Sequence, residues 1–128
     1  MMTYKADGPF VILTTTGKTT HAERQAVYDA IRADPNVPDG ALLIIDLRQY
    51  AVRLTQQELH DRATMMIDSL GGKVGPSCAM LVGDVSLRIG LSFQLVAANM
   101  NFRVGVFHDE SAAREWLSPG LEEPPAER

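Results

Sequence analysis

Two short stretches of the 128-residue chain carry the side chains best placed to do chemistry. Asp46 and Arg48 close the apolar run Ala41-Leu-Leu-Ile-Ile-Asp-Leu47, and Arg53 and Thr55 follow in the loop beyond. Asp84, Ser86 and Arg88 follow a second apolar run, Cys78-Ala-Met-Leu-Val-Gly83. If both runs are parallel strands, these residues gather at the carboxyl edge of the sheet, where open α/β folds place ligands. There a carboxylate can orient a guanidinium, and two guanidiniums can hold an anion. Each residue also has an ordinary use. Asp46 can cap the loop beyond its strand, Arg48 and Arg53 can lie solvated, and Asp84 or Ser86 can cap the following helix. Arg88 stands among apolar neighbours and suggests a bridge to Asp46 or Asp84, within a subunit or across an interface. Loss of such a buried pair would be costly without implying catalysis.

Other reactive residue types are isolated. His21, His60 and His108 form no His-x-x-x-His pair and no His-Cys cluster, so surface or capping roles are expected and no metal is implied. Cys78 opens an apolar strand and reads as a buried structural thiol. Gly71-Gly72-Lys73-Val-Gly75 lacks the phosphate-loop pattern and precedes a strand, so it reads as a helix stop. Gly83 and Gly90 make no dinucleotide fingerprint, and Met65-Met66 reads as core. No cofactor is expected.

The elements that position these residues follow from periodicity. Thr3 to Ala6 and Pro9 to Thr15 form a hairpin around the turn signal Asp7-Gly8. Thr20 and Glu23 have capping-box spacing and open a helix whose apolar stripe is Ala26, Val27, Ala30 and Ile31. Asp34-Pro-Asn-Val-Pro-Asp-Gly40 breaks that helix. Ala41 to Leu47 is a strand apolar on both faces, as in a parallel sheet. Thr55 and Glu58 make a second capping box, and Leu59, Ala63, Met66, Ile67 and Leu70 the buried face of a second helix. Cys78 to Gly83 is the next strand.

Asp84 to Asn101 fits two periods. Val85, Leu87, Ile89, Leu91, Phe93 and Leu95 alternate as in a strand, yet the stretch is too long for one, and the neighbouring strand–helix repeat favours a helix. Such a helix is apolar on most sides and must be buried on more than one. Phe102 to Phe107 is the last strand. Asp109 caps a final helix, Glu110 to Leu117, with Ala112, Ala113, Trp116 and Leu117 inward. Residues 1–118 thus form one α/β domain: a five-stranded, mostly parallel sheet with an antiparallel N-terminal edge hairpin and four helices. Residues 119–128 read as a disordered acidic tail.

The order hairpin-then-alternation, with Leu43-Ile-Ile-Asp-Leu-Arg48 leaving the central strand, resembles the SpoIIAA-like family. Gly71-Gly72 before the third parallel unit and the closing Phe107-His-Asp-Glu-Ser-Ala-Ala-Arg-Glu-Trp-Leu117 add to the likeness, which spans about Tyr4 to Leu117. These are small bacterial proteins related to the STAS domain of anti-sigma-factor antagonists and compared with the SEC14-like lipid-binding fold. The resemblance implies a STAS-like fold and a regulatory protein partner. STAS antagonists carry a phosphorylatable serine in an Asp-Ser-Ser-Gly motif where the helix after the central strand begins. Here Val52-Arg-Leu-Thr55-Gln-Gln-Glu58 occupies that place, so Thr55 falls near the serine but without its motif. A helix N-terminus can bind a phosphoryl group, and threonine is equally an ordinary cap.

Composition narrows function by exclusion. A net charge of −4 and a pI near 5.3 offer no general attraction to nucleic acid. Nor does the chain contain eighteen consecutive apolar residues or the apolar core of a signal peptide, so a cytoplasmic protein without integral membrane association is expected. The reading is a non-enzymatic regulatory or protein-interaction protein, a homodimer joined through Val85 to Phe102. The alternative is a small-ligand carrier, holding a fatty, acyl or other anionic molecule between the sheet and the third helix with Arg48, Arg53 or Arg88 at the head group. An enzyme ranks third, because no nucleophile–base–orienter set is visible.

Overall fold

The computed structural model describes residues 1–118, so the expected acidic tail at 119–128 lies outside the described residues. The elements run β1 (Met2–Asp7), β2 (Phe10–Thr15), α1 (His21–Ala33), β3 (Ala41–Leu47), α2 (Gln56–Leu70), β4 (Val74–Val82), α3 (Leu87–Ala98), β5 (Arg103–Phe107) and α4 (Glu110–Leu117). The sheet order is β1-β2-β3-β4-β5, with β1 antiparallel to β2 and the other pairs parallel. This is the five-stranded, mostly parallel sheet with an antiparallel hairpin and four helices that the sequence led us to expect. It is consistent with a STAS-like fold.

Two boundaries differ from expectation. Asp7 pairs with Phe10, so the hairpin turn is Gly8-Pro9 rather than Asp7-Gly8. Gly8 has a φ of +61° and proline cannot have a positive one, the φ pattern of a type II′ turn. Strand β4 begins at Val74, ahead of Cys78, and includes Pro76. The register explains this, because Ala41 pairs with Val74 while Leu43 already pairs with Cys78, so the proline falls in an irregularity that asks no ladder bond of it.

Because each strand lies beside its predecessor, crossovers of one hand put all three crossover helices on the same face. Leu43, Ile45, Leu47, Met80 and Val82 pack with Tyr28 of α1, Leu59 and Met66 of α2 and Phe93 of α3. Phe10, Ile12, Ile44, Ala79 and Leu81 form a separate core on the other face with Ala113 and Leu117 of α4. The layers are therefore unequal, three helices against one.

Helix α1 turns inward only part of the expected stripe, Ile31 fully and Val27 in part. Arg24, Tyr28 and Ile31 are buried, while Ala26 and Ala30 are exposed. Burying one tyrosine removes far more apolar area than burying two alanines, and that decides the rotation. The capping of α1 is half a box. Thr20 accepts from the Glu23 N–H at 3.0 Å, but the Glu23 carboxylate accepts from the Met2 N–H at 2.8 Å.

The stretch of double periodicity is a helix, shorter than Asp84 to Asn101. Gly90, Phe93 and Ala97 form its buried face. A Cβ on Gly90 would lie 2.9 Å from Val82 Cγ1 and 3.3 Å from Val106 Cγ1, so α3 rests on the sheet at its glycine. Leu91 and Leu95 face outward. On the opposite face, Arg114 of α4 bonds Asp7 and Glu110, both at 2.8 Å, and lies over the Phe10 ring.

Candidate functional site

The residues expected to gather at the carboxyl edge separate into two groups, and the pleat of β3 is the reason. Leu43, Ile45 and Leu47 point into the three-helix layer, so Ile44 and Asp46 point to the α4 side. Asp46 therefore meets Arg48 on that side. Its Oδ1 accepts from the Arg48 backbone N–H and from Nε, both at 3.0 Å, and its Oδ2 accepts from Nη2 at 2.9 Å. Glu110 stands 3.8 Å from the same guanidinium. Partial burial pushes the Asp46 carboxyl upward, but the bonds from Arg48 outweigh it and hold the pKa below the ordinary aspartate value. This fork closes the loop after β3 and engages both oxygens of Asp46.

The expected bridge from Arg88 to Asp46 or Asp84 is not formed: Arg88 has no ion pair among the described residues. Asp46 lies beyond the sheet, and Arg88 projects into solvent from the outer side of α3. Arg88 instead lines an open groove with Arg53, between the loop Ala51 to Leu54 and α3. Asp84 is exposed near it.

Ser86 and Thr55 are engaged in the backbone. The Ser86 hydroxyl donates to the Leu47 carbonyl at 2.7 Å and accepts from the Gly83 N–H at 2.9 Å. It ties the ends of β3 and β4 together, and although it stands at the N-cap of α3 it makes no capping bond. Thr55 and Glu58 make the complete capping box, with bonds of 3.0 and 2.8 Å. Burial raises the Cys78 thiol far above its ordinary pKa, which fits a structural residue. His108 Nδ1 lies 3.1 Å from the Val82 carbonyl. Among the described residues no three His, Cys, Asp or Glu side chains group to hold a metal, and no helix is long and apolar enough to cross a membrane.

Inside the three-helix layer, where the carrier alternative placed a ligand, the structure has a space whose polar lining the sequence reading did not anticipate. A cavity of about 60 Å³ opens between the sheet and the helices, with Leu13, Ile45, Leu47, Met66, Met80 and Phe93 among its walls. Arg24, Tyr28, Tyr50 and Arg62 also line it. Burial raises the Tyr28 phenol to a pKa of about 12. Burial, then the neighbouring Arg62 charge, lowers that of Arg24. Neither arginine has a carboxylate within 4.0 Å among the described residues. The signal was present: Arg24, Tyr28 and Ile31 recur at helical spacing, placing a cation on an inward register. The sheet order never reverses, so there is no switch-point crevice among the parallel strands. The polar interior lies under the helices instead.

Comparison with protein-family models, with curated proteins and with solved structures finds no match to this chain.

Proposed function

We propose that this α/β domain is a non-enzymatic interaction protein of the STAS-like type, a homodimer joined through the outer face of α3, and a relative of the SpoIIAA-like family. The observation that carries the reading is where its exposed apolar surface lies. Among the described residues the exposed large hydrophobic side chains are Met1, Val85, Leu91 and Leu95. Apart from the first residue, all belong to α3 or its lead-in, and Val85 and Leu95 are 69% and 71% exposed. Leu91, Leu95 and Ala98 recur at helical spacing on one face, flanked by Arg88. A two-fold axis sets this patch against itself, and burying each leucine contributes up to about 1.5–3 kcal/mol. A regulatory partner with an acidic surface would find Arg53 and Arg88 beside the same face.

Sedimentation velocity over a hundredfold range of concentration tests the reading. The wild type is expected to dimerise, and a Leu91→Lys/Leu95→Lys variant to stay monomeric and folded, because both sites are exposed in the single chain. A wild type monomeric throughout would remove the dimer.

A second reading, a carrier for an anionic or acyl molecule, is favoured by the cavity under the helices. Its volume of about 60 Å³ is far below the roughly 300 Å³ of a small drug-sized site. A long acyl chain would have to part α2 from α3. Native mass spectrometry of gently purified protein tests it, and the bare polypeptide mass alone would count against it.

A further inference from the structure

Arg53 and Arg88 line the groove between the loop Ala51 to Leu54 and α3, one from each side. Both are exposed, and neither has a carboxylate within 4.0 Å among the described residues. The arginines of the α4 face are placed otherwise: Arg48 is forked to Asp46, and Arg114 is paired with Asp7 and Glu110. With a net charge of −4 the chain has carboxylates to spare, yet none is among the walls of this groove. Asp84 is exposed beside it, while Glu58 and Asp61 of α2 line a separate groove with Arg24 and Arg62 of α1 and α2. From Leu87 to Ala98, α3 carries no acidic residue. Two cations sharing a concave, partly apolar surface raise the positive potential there, because low-dielectric walls focus the field.

The remaining walls are mostly hydrocarbon. Val52, Leu54 and Ile89 are half-buried and pack against the core beneath, and Leu59 is buried. Val85 adds an exposed apolar side chain. Leu54, Leu59 and Ile89 also wall the cavity under the helices, so the groove lies directly outside that cavity. Its volume of about 540 Å³ falls within the roughly 300–1,000 Å³ of small-molecule sites. Besides the arginines, Gln56 and Ser92 supply an amide and a hydroxyl that can donate to an oxyanion. A guanidinium in solvent keeps its donors open to an incoming ligand, and its planar fork matches a carboxylate or a phosphate. Charge at the two sides and hydrocarbon between them together describe a ligand with an anionic head and an apolar body.

We infer that this groove binds a small anionic amphiphile, a single oxyanion head on a short apolar chain. The head sits between Arg53 and Arg88, and the chain lies on Val52, Leu54 and Ile89. The inference rests on the carrier reading and moves its ligand from the cavity under the helices to the groove outside. Leu91 and Leu95 are not among the walls, so the site does not depend on the dimer.

Amide NMR of the isotope-labelled full chain, titrated with sodium octanoate below its micelle concentration and at constant ionic strength, tests it. Saturable shifts are expected at Arg53, Leu54, Arg88 and Ser92, with a dissociation constant on the order of 1 mM, as suits so small a ligand. Octyl phosphate should shift the same amides, and the tighter of the two identifies the head. Acetate has the head without the chain and octyl glucoside the chain without the charge, so each should bind at least tenfold more weakly. Arg53→Gln and Arg88→Gln should each weaken octanoate several-fold, and both keep the fold because the side chains are exposed. No saturable shift at these amides, equal affinity for acetate or octyl glucoside, or unchanged affinity in an Arg53→Gln/Arg88→Gln variant would each overturn the site. Shifts confined to Tyr28, Met80 and Phe93 would also overturn it while leaving a carrier with its ligand under the helices. A glutamate-rich peptide that shifts the groove where octanoate does not would overturn it in favour of an acidic protein partner. Failure of octanoate and octyl phosphate to bind anywhere would remove the carrier reading as well.

Discussion

Gly90→Ala sets two well-known effects against each other, and the structure says which wins. In an exposed helix the change stabilises by about 1 kcal/mol, because alanine loses less backbone freedom than glycine. At Gly90 the new Cβ would stand 2.9 Å from Val82 Cγ1 and 3.3 and 3.5 Å from the two Val106 methyls. Val82 is 1% exposed, and a β-branched side chain has little rotamer freedom with which to yield. The helix must lift, loosening Phe93 and Ala97 on the same face. Overpacking of this kind costs about 1–3 kcal/mol, and contact with two stiff side chains belongs to the upper half of that range. The expected net effect is a loss of about 1–2 kcal/mol, read as a lower urea midpoint at unchanged slope. In a Val82→Ala background the same substitution should be neutral or stabilising, since the closest contact is gone. A single Gly90→Ala variant as stable as the wild type would refute the claim that α3 rests on the sheet at this residue.

Other perturbations separate structural roles from ligand roles. Ser86→Ala removes the bond to Leu47 O and the acceptor of Gly83 N–H; the expected loss is about 2–3 kcal/mol by urea denaturation, and a loss under about 0.5 kcal/mol would refute the bridging role. Acid should weaken the fold. Bonds from Arg114 to Asp7, from Tyr4 to Asp34 and from Arg48 to Asp46 depress these carboxyls below the ordinary 3.8, so the folded chain binds fewer protons than the unfolded one. The stability they supply is complete above that value and lost as pH falls through the depressed folded values. Urea midpoints measured between pH 6 and pH 2 should fall, and a flat profile would contradict these pairings.

What could be read from the chain was what depends on local pattern. The apolar run Ala41 to Leu47, the Thr55–Glu58 box and the stop at Gly71 each satisfy a backbone requirement within a few residues, and each holds in three dimensions. The helix at Leu87–Ala98 was legible only because the neighbouring units imposed their repeat, since its own pattern also fitted a strand. Tertiary choices escaped. In α1, Ala26 and Ala30 marked an apolar stripe, but the larger Tyr28 governed which face turned inward and took Arg24 with it. Asp46 and Arg88 share an edge in a linear reading, yet the pleat assigns Asp46 to the α4 side while α3 leaves Arg88 in solvent. The cavity depends on three separate helices and the loop residue Tyr50, and no window of sequence spans them.

The coincidence of chain order with spatial order has a consequence for synthesis. Every strand pairs only with its sequence neighbours, so no pairing closes a loop longer than one helical crossover, and the entropy of closure stays small. The sheet can grow outward from the N-terminal hairpin as the polypeptide emerges. Its second face, however, holds Phe10, Ile12, Ile44 and Leu81, and the helix that shields them is α4. A nascent or prematurely ended polypeptide lacking Ala113 and Leu117 would present that hydrocarbon surface bare, ready to stick to others like it. The short helix made after all five strands thus guards the sheet against aggregation.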